Sequence, residues 1–181
     1  MPKQLKASLA FLNFPSDNPK ETRKFFQDLF GIDLVPSLSD DEAYHAPVSD
    51  DGIDLNIGTR HTPAESPTAF IAVDDLTNAI DLVKNSGGRI VWGPDDVPIP
   101  DADFDEYKKA AKEIDNANVT NKSLGRAAIV VESGGSQVGL VELANHAEKH
   151  FNAGRHKQPL SDYRVMVHDR SAKVAKARGR V

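Results

Sequence analysis

The chain has 181 residues, 39% apolar and 27% charged, with a formal net charge of −5 and no cysteine. That length suits one domain with a tail, and the missing cysteines exclude disulfides, thiolate nucleophiles and cysteine metal sites together. No apolar run approaches the roughly 18 residues of a membrane span, and the short run behind Met1-Pro2-Lys3-Gln4-Leu5-Lys6 breaks at Asn13-Phe14-Pro15, so no signal peptide is expected and the expected location is cytoplasmic.

Taken in chain order, Ser8 to Phe14 reads as a strand. Asn18-Pro19-Lys20-Glu21 then supplies an N-cap, a proline at the first helical position and a glutamate at the third. Phe25, Phe26, Leu29 and Phe30 predict a buried stripe, with Gly31 as the stop. Ile32 to Val35, Ala43 to Ala46 and Ile53 to Ile57 read as three short strands, the last two joined through Ser49-Asp50-Asp51-Gly52.

The same order of signals then returns. Ala69-Phe70-Ile71-Ala72-Val73 is closed by Asp74-Asp75; Leu76, Ala79, Ile80 and Val83 mark a helix ended by Gly87-Gly88. Strands follow at Arg89 to Trp92, Ala127 to Val131 and Val138 to Leu143, the last two turning at Ser133-Gly134-Gly135-Ser136. Strand, helix, strand, strand, strand is thus written twice. Gly31 and Gly88 lie 57 residues apart, the hairpins at Ser49 and Ser133 lie 84 apart, and the difference of 27 is about the size of the segment Ile99 to Leu124. One insertion reconciles the copies. Within it, Asp103 is expected to cap a helix carrying Phe104, Tyr107, Ala111 and Ile114 on one face. Such a helix fits either a lid over a cavity or packing against the outer sheet or a second subunit.

Charge is uneven. From Ala153 to Val181 eight Lys or Arg stand against Asp162 and Asp169, a net of +6, leaving −11 for Met1 to Asn152. The tail's cationic cluster raises a nucleic-acid reading. Tyr163 is its only tyrosine or tryptophan, however, which gives no stacking platform, so no nucleic-acid partner is expected and the tail is read as packing on the acidic body or on a second subunit.

Three stretches together carry a family resemblance. Phe11-Leu12-Asn13-Phe14-Pro15-Ser16 with Phe25-Phe26-Gln27-Asp28-Leu29-Phe30-Gly31 is one; Ile71-Ala72-Val73-Asp74-Asp75-Leu76 with Gly87-Gly88-Arg89-Ile90-Val91 and Gly93-Pro94-Asp95-Asp96-Val97-Pro98 is the second. The third runs from Leu124-Gly125-Arg126-Ala127 to Gly135-Ser136-Gln137-Val138-Gly139-Leu140-Val141-Glu142. In this order they resemble the vicinal oxygen chelate superfamily of glyoxalases, bleomycin-resistance proteins and extradiol dioxygenases. The resemblance implies an α+β fold: two βαβββ modules in tandem, forming paired curled mixed sheets around a cavity, with helices outside and a C-terminal basic tail. The domain would span 5–143, as modules 5–60 and 66–143 with an insertion at 99–124, and 144–181 would be the extension.

Metal-dependent members are expected to hold a divalent ion with one His or Glu from each of four strands. The matching positions here are Phe11, Thr68, Gly139 and a residue among Asp54 to Asn56. Neither phenylalanine nor glycine has a donor and threonine is a poor one, so no metal and no cofactor is expected. Strand alternation sets Glu142 on the face opposite Gly139. His146 and His150, four apart, read as a solvated helix face, and His61 as a linker residue. No nucleophile elbow, Walker loop or dinucleotide fingerprint is present.

These readings converge on a protein that binds a small, partly apolar organic molecule. The expected lining is Phe11, Asn13, Thr68, Phe70 and Gln137, with Tyr44, Asn56, Trp92 and Arg126 as further candidates. The alternative is a lyase or isomerase acting on a small carbonyl compound, with His45 as catalytic proton carrier, since its ordinary pKa lies near 6.5. The expected partners are the ligand and a second copy in a homodimer.

Overall fold

The computed structural model describes residues 7–31, 34–36, 43–45 and 54–147. The expected turn at Ser49 to Gly52, His150, His156, His168 and the basic tail lie outside them, as do Ile32, Asp33 and Ala46 of the short strands expected at Ile32 to Val35 and Ala43 to Ala46.

Helix α1 (Pro19–Phe30) begins where the sequence signals it: Asn18 Oδ1 accepts the Glu21 N–H at 3.4 Å. It stops at Gly31, whose φ of 66° suits a residue without Cβ. Helix α2 (Leu76–Asn85) is capped by Asp75, which accepts the Asn78 N–H at 2.9 Å. Helix α3 (Phe104–Asp115) starts at Asp103 without a side-chain cap bond, contrary to expectation. The Asp103 backbone is already helical (φ −102°, ψ −9°), so its carboxylate is not swung back over the first turn as an N-cap's is.

Eight strands, β1 (Ala7–Ser16), β2 (Val35–Pro36), β3 (Tyr44–His45), β4 (Asp54–Thr59), β5 (Thr68–Val73), β6 (Arg89–Pro98), β7 (Ser123–Val131) and β8 (Gln137–Leu143), form one mixed sheet in the order β2-β3-β4-β1-β5-β8-β7-β6. With three helices among the described residues this is an α+β fold. The expected pair of sheets is continuous, because β1 and β5 bond antiparallel in the middle, Asn13 opposite Thr68 and Phe11 opposite Phe70. On one side of that junction β1 runs parallel to β4, and on the other β5 runs parallel to β8.

Paired strand residues share a face, so the registers sort the side chains. One face carries the helices. Against α2 lie Val73, Ala128, Val130 and Leu140 with Leu76, Ala79 and Ile80; beside α1 lie Leu34, Tyr44 and Ile57, with Phe14, Phe26 and Leu55 packed on them. On the opposite face Ala10, Phe70, Ala72, Ala127 and Val141 form a second cluster with Phe11 and Ile129. Small residues predominate there, so the two rings are its bulk.

Two expectations need correction. The stripe on α1 is largely uncovered: Phe25, Leu29 and Phe30 are 56%, 59% and 59% exposed. Contacts of Thr22 and Arg23 fix the helix rotation, the Thr22 hydroxyl bonding Ser16 Oγ at 2.6 Å and the Arg23 guanidinium lying 4.9 Å over the Tyr44 ring. With that rotation Phe26 reaches Phe14, at 5.3 Å between centroids, and the other three turn away. The hairpin strands also run further than their apolar runs: Pro98 opposes Ser123, and Ile99 N–H still bonds Lys122 O at 2.8 Å. The inserted segment is thus a cap on the end of the β6–β7 hairpin. Ile99, Tyr107, Ala111 and Val119 form its own core, supported by Phe104, Ala117 and Leu124.

Candidate functional site

Across the helix-free face the registers align two rows. In the first, Asn56, Asn13, Thr68 and Gln137 sit on neighbouring strands β4, β1, β5 and β8. Asn56 Nδ2 donates to Asn13 Oδ1 at 2.7 Å, and Gln137 Nε2 donates to Thr68 Oγ1 at 2.7 Å, while the Thr68 hydroxyl donates to Ser66 O at 2.9 Å. Thr68 is 3% exposed and Asn13, Asn56 and Gln137 are half-buried, so these bonds hold the amides in place. The second row holds Phe11, Phe70 and Gly139. Phe11 and Phe70 stack with centroids 4.5 Å apart and planes 11° from parallel. A Cβ added to Gly139 would lie 2.5 Å from Phe70 Cδ1, so the Phe70 ring lies directly on the Gly139 backbone.

Five of the sequence-chosen residues, Phe11, Asn13, Thr68, Phe70 and Gln137, therefore share this face, and Asn56 joins them. Trp92, 43% exposed, stands opposite Ile129 at the outer strand β6, three strands from Phe70. The backbone of His45 pairs with that of Asn56. Tyr44 and Arg126 are elsewhere. Tyr44 is buried on the helix side with Leu34 and Ile57, because the strand register pairs it with Ile57. Arg126 opposes Glu142 on the helix side too, its Nη2 lying 3.1 Å from Glu142 Oε2 and 3.5 Å from Thr77 Oγ1. Glu142 accepts the Leu76 N–H at 2.8 Å at the start of α2, where a carboxylate meets the positive end of the helix. Its role there is structural.

The donor chemistry of this face does not fit the divalent ion of the resembled superfamily. Phe11 and Gly139 offer no donor, the Thr68 hydroxyl is spent on Gln137 and Ser66, and among the described residues no cluster of three His, Cys, Asp or Glu is poised to hold an ion.

Two further polar groupings were not foreseen from the sequence. An open depression of ≈ 450 Å³, lined by Asp17, Arg60, His61, Thr62 and Pro63, lies past the ends of the parallel strands β1 and β4. It shares no residue with the amide and aromatic rows. Arg60 is tied to the Pro15 and Glu65 carbonyls and to Asp17, with Nε 3.1 Å from Asp17 Oδ1, and the Glu65 carboxylate accepts the His61 and Thr62 N–H groups at 3.1 Å each. This is a loop clasp. The second grouping joins the insertion to the end of β8: the Tyr107 hydroxyl lies 3.1 Å from His146 Nδ1, and His146 Nε2 lies 3.3 Å from Asn121 Oδ1. Burial holds the His146 pKa below its ordinary 6.5, opposed by a backbone hydrogen bond at Ser123. The expectation of a solvated helix fails here, since residues 145–147 form a turn that places the ring against Tyr107. Spacing along the chain carries no signal of a partner 39 residues away.

No protein-family model and no curated protein matches the chain. Among solved structures it is similar to a glyoxalase/bleomycin resistance protein/dioxygenase superfamily member from Vibrio splendidus, at 13% identity over 77% of this chain and 99% of that one, TM-score 0.47. It is similar also to an NAD-dependent benzaldehyde dehydrogenase from Legionella pneumophila, at 13% identity over 74% and 98%, TM-score 0.45. A third, an antibiotic binding protein from a Streptomyces species, matches at 15% identity over 76% and 96%, TM-score 0.26. Likenesses this slight lend no weight to any particular ligand or activity.

Proposed function

We propose that the protein binds a small, partly apolar organic molecule on the helix-free face of its sheet, without a metal ion. The observation that carries this reading is the Phe11–Phe70 stack beside two hydrogen-bonded pairs of neutral side chains. Apolar rings beside a few fixed polar groups are what such ligands need. The reading treats 5–143 as the ligand-binding domain, built of two βαβββ modules, and 144–181 as an extension that serves a homodimer. The opposed parallel pairs on either side of the β1–β5 junction support the modular part.

The test is an amide-resolved titration of the whole chain with a set of uncharged aromatic fragments. Shifts clustered at Phe11, Asn13, Thr68, Phe70 and Gln137 support the reading; shifts confined to the Asp17–Arg60 depression, or absent, refute it. Calorimetry with nickel, zinc and manganese tests the metal-free part, and a stoichiometric ion bound to this face would overturn it.

A second reading, proton transfer by His45 in a lyase or isomerase, draws support from the backbone pairing of position 45 with Asn56. Metal-independent turnover of a glyoxalase-type substrate, lost in His45→Ala, would favour it over binding alone.

A further inference from the structure

Resting on the binding reading above, we infer the chemical class of the ligand: an uncharged aromatic that carries a carboxamide or lactam edge. The Asn56–Asn13 bond uses one amide N–H and one carbonyl lone pair. What is left over is an NH₂ group on Asn13 and a carbonyl oxygen on Asn56, with no further bond among the described residues. Turning both amides over exchanges the two residues and leaves the same inventory. Gln137 donates to Thr68 through Nε2 and keeps its own carbonyl oxygen. The edge presented to a ligand therefore holds donors and acceptors together, all neutral and all fixed by their partners. A group that itself both donates and accepts, as an amide or lactam does, satisfies both kinds.

The rest of the face agrees. Phe11, Asn13, Asn56, Thr68, Phe70, Gln137 and Gly139, which make up the stack and the amide row, carry no charge, and the nearest acidic position by register is Asp54, whose backbone pairs with that of Phe11. A carboxylate lying here would lose water without gaining a counter-charge, which is costly for a partly buried ion, and an ammonium has no acceptor for the amide NH₂ group left over in the Asn13–Asn56 pair. Phe11 precedes Asn13 by two residues on the same face, about 7 Å along the strand, so one bicyclic ring with a short polar edge spans from the stack to the amides.

The experiment compares three probes of one shape, 2-naphthamide, 2-naphthoate and 2-naphthylmethylammonium, by calorimetry on the full chain. The amide is expected to bind at least about tenfold more tightly than either ion, as befits hydrogen bonds to a site that leaves its own groups unpaired otherwise. Asn13→Leu should abolish that preference, bringing the affinity for 2-naphthamide down to within about twofold of that for 2-naphthoate; Asn56→Leu serves if Asn13→Leu does not fold. An ion that binds as tightly as the amide, or a preference that survives these substitutions, overturns the ligand class and leaves the binding reading standing. Failure of all three probes to bind overturns both.

Discussion

Replacing Gly139 by alanine tests the geometry of the site without reference to any ligand. The added Cβ would sit 2.5 Å from Phe70 Cδ1 and within 2.7 Å of two more atoms of that ring. Real Cβ contacts do not come so close, so the ring must move. It cannot move freely, because its other face stacks on Phe11 at 4.5 Å and it packs among Ala10, Ala72, Ala127 and Val141. Three contacts this short against a ring held on both sides put the cost in the upper part of the usual range for overpacking, about 2–3 kcal/mol, against a gain of about 1 kcal/mol from restricting the unfolded chain. The net is a loss of about 1–2 kcal/mol, or roughly 2–8 °C in a chain of this size. Urea denaturation should show a lower midpoint with an unchanged slope. The double variant Gly139→Ala/Phe70→Leu should lose less than the sum of its parts, since the leucine gives the Cβ room. A single variant within about 0.5 kcal/mol of the parent, or strict additivity in the double, would show that Phe70 does not rest on Gly139.

Other outcomes follow from the same structure. His146 has its pKa lowered by burial, so the unfolded chain takes up its proton first: its contribution to stability is present above pH 6.5 and lost as pH falls through and below it. The fall in stability between about pH 7 and 5 should be shallower in His146→Gln, and an NMR titration of the ring should read a midpoint below 6.5. Asp75→Ala removes the bond to the Asn78 N–H at 2.9 Å and should cost about 1 kcal/mol in urea. Leu29→Gln, at a position 59% exposed, should change stability by less than about 0.5 kcal/mol; a loss of 2 kcal/mol or more would restore the buried stripe and refute the observed rotation of α1.

Which parts of the molecule could be read from the sequence follows from how local their causes are. The Asn18 cap, the Gly31 stop and the period of Leu76, Ala79 and Ile80 act within one or two turns of chain, and the helices lie where those signals put them. Strand parity sorted Gly139 from Glu142 for the same reason. The α1 stripe was misread because the apolar period of a helix says that one face is apolar, while its rotation is set by partners such as Ser16 and Tyr44 that lie far along the chain. Arg126 counted as a candidate lining residue because an arginine at a strand start has no local partner; its partner, Glu142, comes from the neighbouring strand. The Tyr107–His146 contact is likewise tertiary. At the site, residue types were legible, whereas the Asn56–Asn13 and Thr68–Gln137 bonds required the register.

The rings at Phe11 and Phe70 and the bare backbone at Gly139 depend on one another. A ring can lie flat over position 139 only if that residue has no side chain, and position 139 can do without one only because a ring fills the space. A single substitution toward a metal site at these positions is therefore blocked on both counts. Gly139→Glu would drive its Cβ into Phe70 before offering a carboxylate, and one donor is short of the three that a bound ion requires. It should lower stability by at least as much as Gly139→Ala and leave nickel affinity no higher than the parent's. Phe11→His/Phe70→Ala/Gly139→Glu removes the obstructing ring and supplies two donors, so it should bind nickel more tightly than any of its single variants. If Gly139→Glu alone gained nickel affinity at unchanged stability, the stack would not be what occupies that place, and the aromatic reading of the site would fall with it.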